Sequence, residues 1–305
     1  MSEYKQRRIP LLGQESNALT WLIIINATIF IVINFLKIVY SLSDIPDEFF
    51  YRQILNWFTL PASLESVSVK PWVIFSCFFT HLGTLSLISS LLWLWSFGYI
   101  LQDLTGNQKL IPIYIYGGFV GAVFFLLTNN LVPVLAKNID SAAPMLGAGA
   151  SIMAVAIATT TLSPDYRIFP LINGGVPLWV LTVVFVAVDF ASIGRGSAAT
   201  AFAHLAGGGV GFLFVKQLRV GKDWGHWMLV FWNWLDDLFN PEKKHVPKKE
   251  KDHLFYKTTD KPYTKTPNLT QQKLDEILDK INKEGYHLLT NEEKEFLKRA
   301  SKEEL

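Results

Sequence analysis

The sequence is poor in residues that staple a fold from outside or hold a metal. Its 305 residues include a single cysteine, Cys77, set in an apolar run. That excludes a disulfide framework, a CxxC pair and a cysteine-based metal site. Charge is scarce through the middle: 28 basic and 26 acidic residues leave a formal net charge of +2, and most of them lie toward the two ends. With no basic patch in the central region, nucleic acid is not an expected partner. No H-E-x-x-H or similar ligand spacing occurs among the histidines, so neither a metal nor another cofactor is implied. A cleavable leader is not expected either, because MSEYKQRRIPLLGQESNALT stays polar too long and the apolar block after it lacks an A-x-A-like exit.

What is abundant is apolar sequence in long blocks. Half of the residues are hydrophobic, with ten Trp and 22 Phe. A helix needs about 20 mostly apolar residues to cross the hydrocarbon core, and six segments approach this: residues 19–40, 71–100, 110–128, 147–162, 176–192 and 199–217. The fourth and fifth are short and need shelter from neighbours. Lys5, Arg7 and Arg8 before the first span place the N-terminus in the cytoplasm, and six crossings return the C-terminus to the same side. The reading is an all-α, multi-pass integral membrane protein with both termini cytoplasmic.

The domain plan follows. Residues 1–18 form a cytoplasmic segment and 19–217 the membrane domain. Residues 218–240 hold an aromatic, interfacial amphipathic helix. Residues 241–268 are a basic linker whose lysine run, residues 243–251, is solvated and also senses anionic lipid. Residues 269–305 form a small soluble helical hairpin in which Thr270 caps the first helix, with Leu274, Ile277, Leu278 and Ile281 on one face and Gly285 at its end. Thr290 and Glu293 make a capping box for the second helix, which carries Phe296 and Leu297. This tail is expected to dock a cytoplasmic partner or to mediate self-association. The aromatic loop at 49–57 reads as a wedge in the membrane interface.

Chemistry enters at the fourth block, MLGAGASIMAVAIATTTL, where small residues precede Ser151. Packing alone explains a serine there. A nucleophile needs a base within hydrogen-bond reach. Of the six histidines only His81 and His204 fall inside the expected spans, where an ionisable group is costly. His204 sits about five residues into its span and Ser151 about four into a span of the same direction, so their depths match at about 1.5 Å per residue. The GxxxG face of Gly207 and Gly211 would press the sixth helix onto the fourth. The opening turn, residues 147–150, supplies free N–H groups for an oxyanion.

Taken together, these residues resemble the rhomboid intramembrane serine proteases over residues 21–217, with a bacterial, Bacteroidetes-like flavour in the approach to the second span. The resemblance rests on Gly149-Ala150-Ser151, on Ala203-His204 followed by Gly207 and Gly211, and on the paired-glycine motif of the third span, Gly117 and Gly118 with Gly121. It implies a six-transmembrane-helix rhomboid bundle in which Ser151 and His204 form the catalytic dyad, no cofactor is used, and transmembrane protein segments within the lipid bilayer are the substrates. His81 is then structural, bonded to loop backbone. Where the family carries a second His and an Asn on its second helix, this chain has Ser86 and Ser90, so the oxyanion and substrate-binding positions, with Gly149, hold shorter donors. Ile152 replaces the glycine that follows the nucleophile. Asp189 could be taken for a third member of a triad, but because the resemblance implies a dyad and a mobile gate in the fifth helix, it reads as a solvated or loop-bonded carboxylate. The alternative is a rhomboid-like pseudoprotease that binds or escorts membrane proteins without cleavage; a small transporter fits less well, for want of an inverted repeat or a midplane charge pair.

Overall fold

Each apolar block becomes helix, because backbone N–H and C=O groups away from water must pair within their own segment. The computed structural model describes residues 17–168, 175–192, 198–239 and 269–303. Its helices are α1 (Ala18–Leu42), α2 (Asp47–Gln53), α3 (Leu64–Val69), α4 (Val73–Ser76), α5 (Thr84–Thr105), α6 (Leu110–Leu131), α7 (Pro133–Ala136), α8 (Gly149–Leu162), α9 (Leu178–Ser192), α10 (Ala198–Arg219), α11 (His226–Phe239), α12 (Leu269–Glu284) and α13 (Asn291–Glu303). Among the described residues, α1, α5, α6 and α10 are long and apolar enough to cross a membrane, and α8 and α9 are shorter apolar helices. The chain is a multi-pass integral membrane protein. Two compact units divide it, residues 1–240 and 241–305; the N-terminal segment 1–16, with Lys5, Arg7 and Arg8, and the basic linker 241–268 lie outside the described residues.

Helix α8 is the centre of the first unit, with nine of its 14 residues buried. It can lie there because its neighbours meet it with glycine. A Cβ on Gly207 of α10 would fall on the Ala150 backbone, 3.0 Å from its carbonyl carbon, and one on Gly211 would fall 2.8 Å from that of Ala154. From α6, Gly117 lies against Ala154 and the Ser151 Cα, Gly121 against Ala150, and Gly118 against Ser151 Oγ and the Phe78 ring. Small residues on both sides let three backbones approach closely, which is how helices gain packing energy where lipid offers no hydrophobic contrast. A helix of 14 residues spans about 21 Å, and its neighbours complete its burial.

Several sequence expectations need correction. The second span does not start at residue 71: Pro71 opens a turn, α4 and a 3-10 turn at Cys77–Phe79 follow, and the long helix begins only after Gly83. His81 therefore precedes the helix. The all-α description also misses a two-stranded antiparallel ribbon, Arg167–Ile168 with Val176–Pro177, which takes the start of the expected fifth span. The aromatic loop is split: Phe50 and Leu55 are buried against Ile33, whereas Phe49, Tyr51 and Trp57 are exposed.

The loop between α1 and α5 sets the height of α8. Leu60 and Met145 exchange both backbone hydrogen bonds, at 2.9 and 2.8 Å. Asn130 of α6 donates to the Ala62 carbonyl at 2.8 Å. Tyr114 donates to the Phe78 carbonyl at 2.9 Å, and Asn26 of α1 reaches its hydroxyl at 3.4 Å. At the other end, α11 is seated on α6: Trp227 donates to the Tyr116 hydroxyl at 2.7 Å, that hydroxyl donates to the Trp224 carbonyl at 3.0 Å, and Lys109 pairs with Asp223. Burial works against the Asp223 charge, but Lys109, the Gly225 N–H and His226 outweigh it and hold the carboxyl below its usual value.

In the second unit, α12 already contains Thr270 in its first turn, so Thr270 is not the cap. Gly285, at φ 89° and ψ 152°, takes a positive-φ conformation open mainly to glycine and ends the helix. Ile277 is buried, whereas Leu278, expected on the same face, is half exposed. The capping box is formed: Thr290 Oγ1 accepts from the Glu293 N–H at 3.3 Å and Glu293 Oε2 accepts from the Thr290 N–H at 2.8 Å. That backbone bond and Lys280 hold the Glu293 carboxyl below its usual value.

Candidate active site

The start of α8 forms the floor of a cleft of about 670 Å³, walled by α5, α9 and α10. Ser86, Ser89 and Ser90 come to it from α5, Gly149 and Ile152 from α8, Phe185 and Asp189 from α9, and Thr200 and His204 from α10. Ser151 sits just beneath, fully buried, and its Oγ has no hydrogen-bond partner among the described residues. Beside it, α8 begins with unspent donors. Gly147 is excluded from that role because its N–H donates to the Cys77 carbonyl at 2.9 Å, but the first bond into the helix is that of Ile152 to Ala148, so the N–H groups of residues 149–151 precede it.

His204 is placed by Gly149. A Cβ there would fall within the imidazole, nearest its Cε1 and Nε2, so the glycine lets the Cε1–Nε2 side of the ring press against the first turn of α8, two residues before Ser151. The other ring nitrogen, Nδ1, is 2.7 Å from Asp189 Oδ2, and the two side chains are only 10% and 11% exposed. Asp189 is thus not a solvated carboxylate, and its partner among the described residues is His204. Its place on α9 explains why: Leu178, Thr182 and Phe185 are buried, and the spacing 4-3-4 carries the same inward stripe to residue 189. Thr182 meets Thr160 of α8, and Phe185 packs against Trp93 and Phe97 of α5 at 5.0 and 5.5 Å between ring centroids.

His81 departs from expectation as well. It is fully buried and, among the described residues, neither ring nitrogen has a hydrogen-bond partner, so it is not tied to their loop backbone. Its ring lies beside Gly147, 3.8 Å from where a Cβ would stand. Ser86 is exposed at the mouth of the cleft and Ser90 half-buried one turn deeper. Ser89 and Thr200 were missed by sequence reasoning. The signal for Ser89 was available, since positions 86, 89 and 90 share one helix face.

Comparison with known proteins agrees with this architecture. Residues 68–219 match the rhomboid domain family, and residues 257–303 match a family of unknown function (DUF6576). A curated relative, the RHOMBOID-like protein 12, mitochondrial, of Arabidopsis thaliana, is 24% identical over 152 residues, which cover 47% of this chain and 45% of the relative. The chain thus spans under half the length of that relative in the matched stretch. The matched residues run from just before α4 to the end of α10 and include the whole cleft, and on that basis the chain belongs to the rhomboid family.

Proposed function

We propose that the chain is an intramembrane serine endopeptidase that cleaves transmembrane segments of membrane proteins. The observation that carries this reading is the position of His204, locked between Asp189 and Gly149 with its Nε2 edge against the turn that presents Ser151. A structural histidine has no need of that edge at a helix start beside an unpartnered serine hydroxyl.

In the proposed reaction Ser151 Oγ attacks a substrate peptide carbonyl carbon as His204 takes its proton. The carbonyl oxygen becomes an oxyanion, received by the opening N–H groups of α8 and by Ser86 and Ser90 across the cleft. Collapse breaks the C–N bond, and His204 returns the proton to the leaving amine. Water then attacks the acyl ester, again with His204 as base, and frees the acid and Ser151. Substrate must unwind locally, because a carbonyl inside a helix is blocked. The six-crossing arrangement with both termini in the cytoplasm of a bacterial cell belongs to the same reading.

The test is cleavage of transmembrane peptides in proteoliposomes, read by mass spectrometry. The reading expects one pair of new termini per substrate from the wild-type chain and none from Ser151→Ala or His204→Ala; uncut peptides with folded wild type would refute it. A second reading, a binder that escorts membrane proteins without cutting them, is favoured by one observation: Ser151 Oγ makes no hydrogen bond to His204. It predicts stable peptide capture by wild type and by Ser151→Ala alike.

A further inference from the structure

We propose that Asp189 is a positioning residue that turns the Ser151–His204 pair into a three-membered Ser–His–Asp arrangement; this rests on the protease reading above. Asp189 Oδ2 stands 2.7 Å from His204 Nδ1, with both side chains about nine-tenths buried. An ionised carboxylate can only accept hydrogen bonds, so the contact puts the proton on Nδ1 and leaves the Nε2 lone pair facing the start of α8. That tautomer is the one a general base for Ser151 requires. When the serine proton arrives, the imidazolium that forms is stabilised by the carboxylate beside it.

The surroundings single out this pair. Among the described residues lining the cleft, Asp189 and His204 are the ionisable ones. The facing stretches of α5 and α8 bring hydroxyls, Ser86, Ser89, Ser90 and Ser151, while His81 lies behind Gly147. From α6 come Tyr114 and Tyr116. Lys216 and Arg219, the basic residues of α10, sit about 18 Å or more farther along its axis. An acid placed this deep is costly unless it is used. Because Asp189 belongs to α9 and His204 to α10, the bond also requires α9 to be packed inward, as Thr182 and Phe185 hold it.

The test measures the rate of covalent labelling by a fluorophosphonate as a function of pH for the reconstituted wild type, Asp189→Asn and Asp189→Glu. Removing the charge is expected to slow labelling by up to about 10 000-fold, to move the acid limb of the pH–rate profile to lower pH, and to lower kcat on a peptide substrate with KM little changed. Asp189→Glu should recover part of the rate. A merely structural loss would scale the profile down without moving its limb. Asp189→Asn that labels within about threefold of wild type with the same limb overturns this inference and leaves the protease reading standing. A folded wild type that never labels overturns both. Should Asp189→Asn misfold, 15N-histidine NMR of the wild-type chain, assigned with His204→Gln, decides: protonated Nδ1 supports the inference and protonated Nε2 overturns it.

Discussion

Two glycines on one helix, two residues apart, should respond oppositely to the same methyl group. At Gly207 an added Cβ would meet the Ala150 carbonyl oxygen and lie 3.0 Å from the carbonyl carbon and 3.1 Å from the Cα, all backbone atoms that no rotamer change can move. At Gly209 nothing stands within 4 Å. Carbon–carbon contacts are optimal near 3.5–4.0 Å, so Gly207→Ala must part α8 and α10 by on the order of 1 Å. Such overpacking costs about 1–3 kcal/mol, whereas Gly209→Ala removes a helix-interior glycine and gains about 0.5–1 kcal/mol. The gap between the variants is therefore about 1.5–4 kcal/mol. The same displacement lifts His204 from Gly149, and a misplacement of about 1 Å is enough to cost around 100-fold in rate. Unfolding in mixed micelles, together with fluorophosphonate labelling rates, reads both effects. Equal stability and equal labelling for the two variants would refute the claim that the glycine face sets the distance between the two helices.

Other consequences are as direct. Phe185→Ala, which removes a ring packed on Trp93 and Phe97, should cost about 3–5 kcal/mol of packing and raise amide exchange along α9 while leaving α6 protected; uniform exchange would contradict it. Asp223→Asn should loosen α11, seen as faster exchange at residues 226–232. Because the folded Asp223 value is depressed, the wild-type contribution is present above the ordinary value of 3.8 and is lost as pH falls through the lower folded value; exchange that ignores pH down to that range in the variant and wild type alike would be the failing result. In the second unit, Thr290→Ala should destabilise α13 by about 0.5–2 kcal/mol, with NMR signals of its first turn broadening first. Glu293, also depressed, supports that turn above its ordinary value of 4.5 and releases it as pH drops through its folded value.

The parts of the molecule written in local pattern were legible in advance. The glycines at 117, 118, 207 and 211 and the box at Thr290 and Glu293 depend on spacing along one helix, and the depth match of Ser151 with His204 on counting residues from the start of each of two spans. What was not legible depends on how helices meet. Pro71 and Gly83 broke an apolar run whose composition still suited a span, so hydropathy overran the true start of α5. Asp189 was visible as an acid in an apolar helix, but its assignment needed the position of His204 on a different helix; only the stripe 178, 182, 185 and 189 hinted that it pointed inward. His81 was seen as a costly group and given a backbone partner that the packing around Gly147 does not provide. Thr270 has the chemistry of a cap, yet α12 starts one residue earlier.

The most direct test is tandem mass spectrometry of the folded, detergent-solubilised chain after reaction with a fluorophosphonate. The account predicts one adduct per chain, located on Ser151, and none in His204→Ala. No adduct beside an active rhomboid that labels under the same conditions, or an adduct on any other serine, would contradict it.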